Sequence, residues 1–313
     1  MALSPKRYWR KLAALAKIET DYGADALPTG AANAIQFSEV TLTPMAGEEA
    51  RRDLMAAHFG NQGVMLVGDY VELKFSVELA GSGAAGTAPA YGMLLRACGL
   101  AETIVADTSV AYEPASSDLE ATTLYANLDG VNHKMLGARG TFTLNLTPKQ
   151  IPRIAFSLRG LLGPVADAPL PAANYAAYQT PLPVTTANTP VHTLHGYAAI
   201  AESYEMDIAN TVEVRNLIGE DSIQISDRQS TGTMVVEATS LATKDWFAVA
   251  RAGTKGALAL QHGTVAGNIV EIAAPKVQIG RPTYGQTQGI TNLSLPLLFT
   301  PDAGDDEYVF TFR

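Results

Sequence analysis

The chain has 313 residues, 47% of them hydrophobic and 17% charged, and a formal net charge of −9. That length allows one large domain or two ordinary ones, and the apolar content excludes a disordered chain. The acidic balance argues against a protein that clamps nucleic acid by its phosphates, and the single cysteine, Cys98, excludes an internal disulfide framework or a cysteine zinc site.

The N-terminal stretch MALSPKRYWRKLAALAK has a basic start and a short apolar centre, LAALA. That centre is too short for a secretory signal and far short of the roughly 20 residues of a membrane span. It reads as a short basic helix over residues 5–17, with Pro5 in the first turn. IQFSEVTLT (residues 35–43) alternates like a strand, and a polar stretch follows over residues 45–68. In YVELKFSVEL (70–79) the odd positions are apolar and the even ones polar, so one face packs on a core and the other meets water or a partner.

Gly81, Gly83 and Gly86 then spell G-x-G-x-x-G. A dinucleotide turn follows a strand that is apolar on both faces and opens its helix within the glycines. Here the preceding strand alternates, and Pro89 marks a later helix start. The glycines therefore read as a loose loop leading to the helix AYGMLLRACG. Asp107 as a ribose partner is no more than chance spacing. Asp129-Gly130 in NLDGV marks a tight hairpin.

Between Gly163 and Val191 run six prolines (164, 169, 171, 181, 183 and 190) and no lysine or arginine, the composition of a semi-extended linker. It divides the chain into halves that correspond in order. IQFSEVTLT matches AESYEMDIA (201–209), and the polar stretch 45–68 matches residues 210–232. YVELKFSVEL matches TMVVEATSL (233–241), and the helix AYGMLLRACG matches DWFAVARAG. LYANLDG pairs with LALQHG, and IAFSLRGLL with NLSLPLLF.

Chemistry is sparse. His192 and His195 form H-x-x-H on a strand-like stretch, where residues three apart face opposite sides, so they read as structural. His58, His133 and His262 have no evident partners. Asp302, Asp305, Asp306 and Glu307 in PDAGDDEY read as a solvated turn. No G-x-S-x-G, H-E-x-x-H or P-loop occurs. No catalytic, cofactor-binding or metal residue is assigned, and no cofactor is expected.

Three ordered segments carry a resemblance: KIETDYGADALPTGAANAI (17–35), ELAGSGAAGTAPAYGMLLRACGLAET (78–103) and NLDGVNHKMLGARGTFTL (127–144). They resemble the tail tube proteins, the major tail proteins of long-tailed bacteriophages. The resemblance implies a mainly β fold of two tandem antiparallel β-sandwich or barrel-like tail-tube domains, each with one short flanking helix. Residues 1–35 form a basic helix and an inter-ring arm, 36–163 the first domain, 164–190 the linker and 191–313 the second domain. It also implies a non-enzymatic virion protein whose rings stack into the hollow tube through which the genome leaves. Three copies of a duplicated domain complete a pseudo-hexameric ring. Partners are then the chain itself, the tape measure, tail terminator and distal tail proteins, and double-stranded DNA in transit, with no membrane span. The location is the virion tail tube, after synthesis in the host bacterial cytoplasm.

In that picture the polar strand faces line the lumen. They present Glu39, Thr41, Thr43, Glu72, Lys74, Ser76 and Glu78 in the first half, and Ser203, Glu205, Asp207, Glu237 and Thr239 in the second. A mainly acidic or neutral wall lets DNA slide. The competing readings are a capsid decoration or tail-completion protein, a carbohydrate-binding β-sandwich, and a nucleotide-dependent enzyme. The second needs clustered exposed aromatics, yet the only tryptophans are Trp9 and Trp246, one in each of two predicted helices.

Overall fold

The computed structural model describes residues 6–313, and antiparallel strands make most of it. The first half runs β1 (Leu12–Ile18), α1 (Gly30–Asn33), β2 (Ala34–Ile35), β3 (Ser38–Arg51), β4 (Val64–Glu78) and α2 (Gly92–Ala97). It continues with β5 (Leu100–Val105), β6 (Ser109–Pro114), β7 (Thr122–Leu128), β8 (Val131–Leu146) and β9 (Arg153–Leu162). The proline-rich stretch holds only the short β10 (Ala166–Asp167). The second half runs β11 (Val191–Leu194), β12 (Tyr197–Ala198), β13 (Ala201–Asp207), β14 (Asn210–Leu217), β15 (Glu220–Arg228), β16 (Thr231–Glu237) and α3 (Trp246–Ala252). It ends with β17 (Lys255–His262), β18 (Val270–Ile279), β19 (Thr283–Thr287), β20 (Ile290–Phe299) and β21 (Val309–Phe312).

The halves share one strand order. In the first, hydrogen-bonded neighbours run β1–β7–β8–β9–β4–β3. In the second they run β11–β17–β18–β20–β16–β13. β19 continues β18 against β20 after a break, since Ile279 faces Leu297 and Thr283 faces Ser294. Two ladders join the halves, β13 on the end of β8 and β21 on β6. The result is one 19-stranded sheet folded on itself plus the separate β14–β15 hairpin.

Period two explains the core. Leu73, Phe75 and Val77 of β4, Phe142 and Leu144 of β8, and Phe156 and Leu158 of β9 are buried on one side of the sheet. Phe142 meets Phe156 and Phe310 at 5.5 and 5.7 Å between ring centres, so β21 of the second half closes over the first-half core. The hairpin at Asp129-Gly130 holds both residues at positive φ, as a type I′ turn requires. α3 is capped by the Asp245 carboxylate, which accepts from the Ala248 N–H, and ends on Gly253 in the left-handed region.

The N-terminal helix expectation fails. Pro5 lies outside the described residues, and residues 12–18 form β1, paired along its length with β7. Ala13, Leu15 and Ala16 are buried together with Ala14. A surface helix would bury one stripe of such a run, whereas a strand covered on both faces buries it whole. Trp9 lies in an exposed turn, while Trp246 opens α3 and is buried.

The segment after β1 folds back onto the same half. The Glu19 carboxylate accepts from Gly137 N–H at 2.7 Å and Thr123 Oγ1 at 2.8 Å. Asp25 accepts from Tyr125 Oη at 2.6 Å and Lys134 Nζ at 2.8 Å. Burial alone would raise the Asp25 pKa, but these two donors and the Leu27 N–H hold it below the ordinary carboxylate value.

The glycine stretch is also a correction, because it is packed and not loose. Gly81 N–H donates to Asn268 Oδ1 at 2.8 Å and Gly83 N–H to Gly267 O at 2.9 Å. A Cβ on Gly81 would stand 2.1 Å from the Gly267 carbonyl oxygen. The glycines let two backbones from different halves touch.

Candidate functional site

Residues directly opposed in antiparallel ladders lie on one face of a sheet. On the side away from the core, Thr41 faces Lys74, which faces Ser157, which faces Thr141. Thr43, Glu72, Arg159 and Arg139 make the next row. Ser76, Ala155 and Thr143 lead across the junction to Asp207 and Thr231. Glu78, Arg153, Asn145, Glu205 and Thr233 form the row beside it, and Glu237 sits opposite Asn292. The strand residues expected on one polar face are thus brought together across both halves. Thr239, beyond the end of β16, is in a loop and bonds the Lys244 carbonyl.

The charges divide unevenly along this face. In the first half Glu39 pairs with Arg153 at 2.8 Å and accepts from Ser76 Oγ at 2.8 Å. Glu72 lies between Arg159 at 3.5 Å and Lys74 at 3.3 Å. In the second half Glu202, Glu205, Asp207 and Glu237 form no ion pair among the described residues, and β13, β16 and β20 themselves contain no lysine or arginine. The acidic excess of this face is therefore a property of the second half. Glu202 was missed by period-two reading because a bulge between Ala201 and Ser203 shifts the alternation. It accepts from Asn292 Nδ2 and Thr287 Oγ1, both at 2.7 Å. Arg139, Arg153 and Arg159 join this face through β8 and β9, whose place beside β4 no local pattern reports.

Two β-hairpins leave the same end of the sheet. The long continuation of β3 and β4 is exposed, with Met55 and Phe59 fully so and Leu54, Met65 and Leu66 more than half exposed. The β14–β15 hairpin is anchored at its base across the first half. Asn210 Nδ2 donates to the Cys98 and Gly140 carbonyls at 2.6 and 2.9 Å. Buried Arg139 donates to the Ile223 and Leu119 carbonyls at 2.9 and 2.6 Å, and Arg159 to the Val212 carbonyl at 2.9 Å. Burial pulls the Arg139 pKa below its ordinary value. Ile218 at the hairpin tip is fully exposed, and Gly68 lies against Asn216, so the two hairpins stand side by side. At the other end of the sheet Ile151, Ile200, Leu241 and Ile290 are exposed.

The remaining motifs serve the fold. His195 Nε2 bonds the Val277 carbonyl at 2.8 Å beside Trp246. His262 bonds Thr189 Oγ1 and the Leu182 carbonyl, each at 3.1 Å. Burial lowers the pKa of both histidines. In the acidic turn, Asp305 and Glu307 hold Arg228 at 3.0 and 3.2 Å, and Asp306 accepts three successive backbone N–H groups. Among the described residues no group of three His, Cys, Asp or Glu side chains could hold a metal ion, and no helix is long and apolar enough to cross a membrane.

Antiparallel sheet with free edges, exposed apolar hairpin tips and a broad polar face define a mainly β protein. A family model described as phage tail tube protein matches residues 9–300, nearly the whole chain. The chain belongs to the phage tail tube protein family, which makes it a structural component of the virion tail with a non-enzymatic role. No curated protein matches the chain.

Proposed function

We propose that this chain forms rings of three copies that stack into the hollow tail tube and pass double-stranded DNA into the host. In this reading residues 36–163 and 191–313 are two tube domains, joined by 164–190, with the described residues 6–35 folded onto the first. The observation that carries it is the repeated strand order, with the second domain already docked on the first through β13 and β8. A unit that adds its sheet to the next unit's edge closes a ring once the rotation sums to a full turn.

The ladders support a tube of suitable geometry. Aligning β4–β9 on β16–β20 places Glu237 at the position of Glu78, and hence Thr231 at that of Glu72. The row through Ser76 reaches Thr231, so each unit of four strands shifts the row by four residues. With a rise of about 3.3 Å and a strand spacing of about 4.8 Å, that shear tilts the strands by about 35°, as closed barrels require. Three chains then give about 24 strands and about 45 Å between opposite backbones, wide enough for a duplex.

The polar face lines that lumen, and its acidic second half repels DNA phosphates weakly enough to let them slide. Stacking joins the apolar hairpin tips at one end to Ile151, Ile200, Leu241 and Ile290 at the other. Glu19 and Asp25 engage the first half of their own chain, so in this reading residues 6–35 act within a ring and not between rings. The tape measure, tail terminator and distal tail proteins would meet the two ends of the stack, and synthesis would occur in the host cytoplasm. Negative-stain imaging of purified protein at high concentration tests the proposal. Hollow stacks are expected, and isolated particles at every concentration would contradict it.

A further inference from the structure

We infer that the outer edge of β3 in one copy pairs antiparallel with β19 of the next copy, in the register Val40–Gln286, Thr41–Gly285, Leu42–Tyr284 and Thr43–Thr283. The inference rests on the ring reading above and names its seam.

The internal junction supplies the template. β13 docks on β8 with Tyr204 opposite Leu146, Glu205 opposite Asn145, Met206 opposite Leu144 and Asp207 opposite Thr143. Each of these strands has a counterpart in the other half. Glu205 faces Thr233 on β16 as Thr41 faces Lys74 on β4, so Tyr204–Asp207 correspond to Val40–Thr43. Thr283 faces Ser294, and Ser294 faces Val235, as Thr143 faces Ala155 and Ala155 faces Ser76. Thr283–Gln286 therefore correspond to Thr143–Leu146. The same docking, applied to the two unused counterparts, gives the stated register.

Both counterparts are open to a partner. Among the described residues β3 pairs only with β4 and β19 only with β20, and no other backbone bond reaches their outer edges. Tyr284 is 67% exposed, whereas its counterpart Leu144 is fully buried against Met206. Leu42 opposite Tyr284 would restore that apolar pair. The cavities agree. At the internal junction Leu146, Pro148, Tyr204 and Met234 help enclose a cavity of about 280 Å³. Around the corresponding edge, Leu12, Phe37 and Val40 line an open cleft of about 800 Å³ whose remaining wall the next copy's Gln286 would supply.

Cysteine pairs test the register in oxidised, preassembled protein. Leu42→Cys with Tyr284→Cys should give covalent oligomers ending at a trimer, reversed by reductant. The shifted pairs, Leu42→Cys with Gln286→Cys and Val40→Cys with Tyr284→Cys, should cross-link at least tenfold more slowly. Co-assembling the two single variants gives the same readout as a dimer if the double variant assembles poorly. Tyr284→Phe should keep assembly and Tyr284→Asp should abolish it. Equal or preferred cross-linking of a shifted pair, or normal assembly of Tyr284→Asp, would overturn the seam. Tubes of the unmodified chain without the expected cross-link would do so while leaving the tube reading intact. Failure of the unmodified chain to form tubes would instead remove the reading on which the seam rests.

Discussion

Arg139 shows how single residues tie the halves together. Its guanidinium is buried and donates to three backbone carbonyls, those of Leu119, Glu120 and Ile223, and to Gln224 Oε1. Arg139→Met should cost about 2–4 kcal/mol, because bonds from a charged donor are lost and the carbonyls stay buried. Urea denaturation measures this, and a loss under ~0.5 kcal/mol would show that water replaces the guanidinium. Gly81→Ala should cost about 1–3 kcal/mol through the clash with the Gly267 carbonyl. Three histidines, one buried and two half-buried, set an acid limit. Burial lowers the pKa of His133, His195 and His262, so below the ordinary histidine value of about 6.5 the unfolded chain binds protons that the folded one refuses. Melting temperature should therefore fall as pH drops from about 7.5 to 5.5, and a rise over that window would contradict the account. At this scale the sequence was only partly legible. Period two located Glu72, Lys74 and Glu78, but Glu202 and the Glu39–Arg153 pair depend on bulges and neighbours that no local pattern reports.

Elements were easier to read where alternation was strict. β4, β13 and β16, both helices flanking the halves and the Asp129-Gly130 turn all follow from period, caps and turn chemistry. β1 did not, because LAALA satisfies a helix as well as a strand, and only the cover from both sides decides. The hairpins within 45–68 and 210–232 escape a reading by local pattern because register shifts around Ala46 and between Thr211 and Val212 interrupt their alternation. These differences set the deletion experiments. Removing residues 1–35 should give insoluble protein, since β1 and β2 are buried parts of the sheet. Replacing residues 52–63 by a short Asn-Gly turn should leave a folded, soluble chain that makes no long tubes. Far-UV circular dichroism and particle length check both. A soluble, native-like truncation at residue 35 would contradict the role given to β1.

Across the whole molecule, the acidic excess of the polar face, proposed to be the inner wall, is concentrated on the second half. Glu205→Lys, Asp207→Lys and Glu237→Lys together change each chain by +6 and a trimeric ring by about +18. All three residues lie off the packed face, so tubes should still form. DNA should then leave mutant particles more slowly at low salt, with rescue at high salt. Unchanged ejection would place this face on the outside of the tube. The matching order of elements in the two halves was visible in sequence, but their joining ladders were not, because residues such as Asp207 and Thr143 meet only through long-range pairing.

Cryo-electron microscopy of assembled tubes tests the central claim most directly. Each ring should contain three chains and an inner wall of about 24 tilted strands, with the β13–β8 ladder inside a chain alternating with an equivalent ladder between chains. Rings of six chains, or an inner wall broken between neighbouring chains, would contradict it.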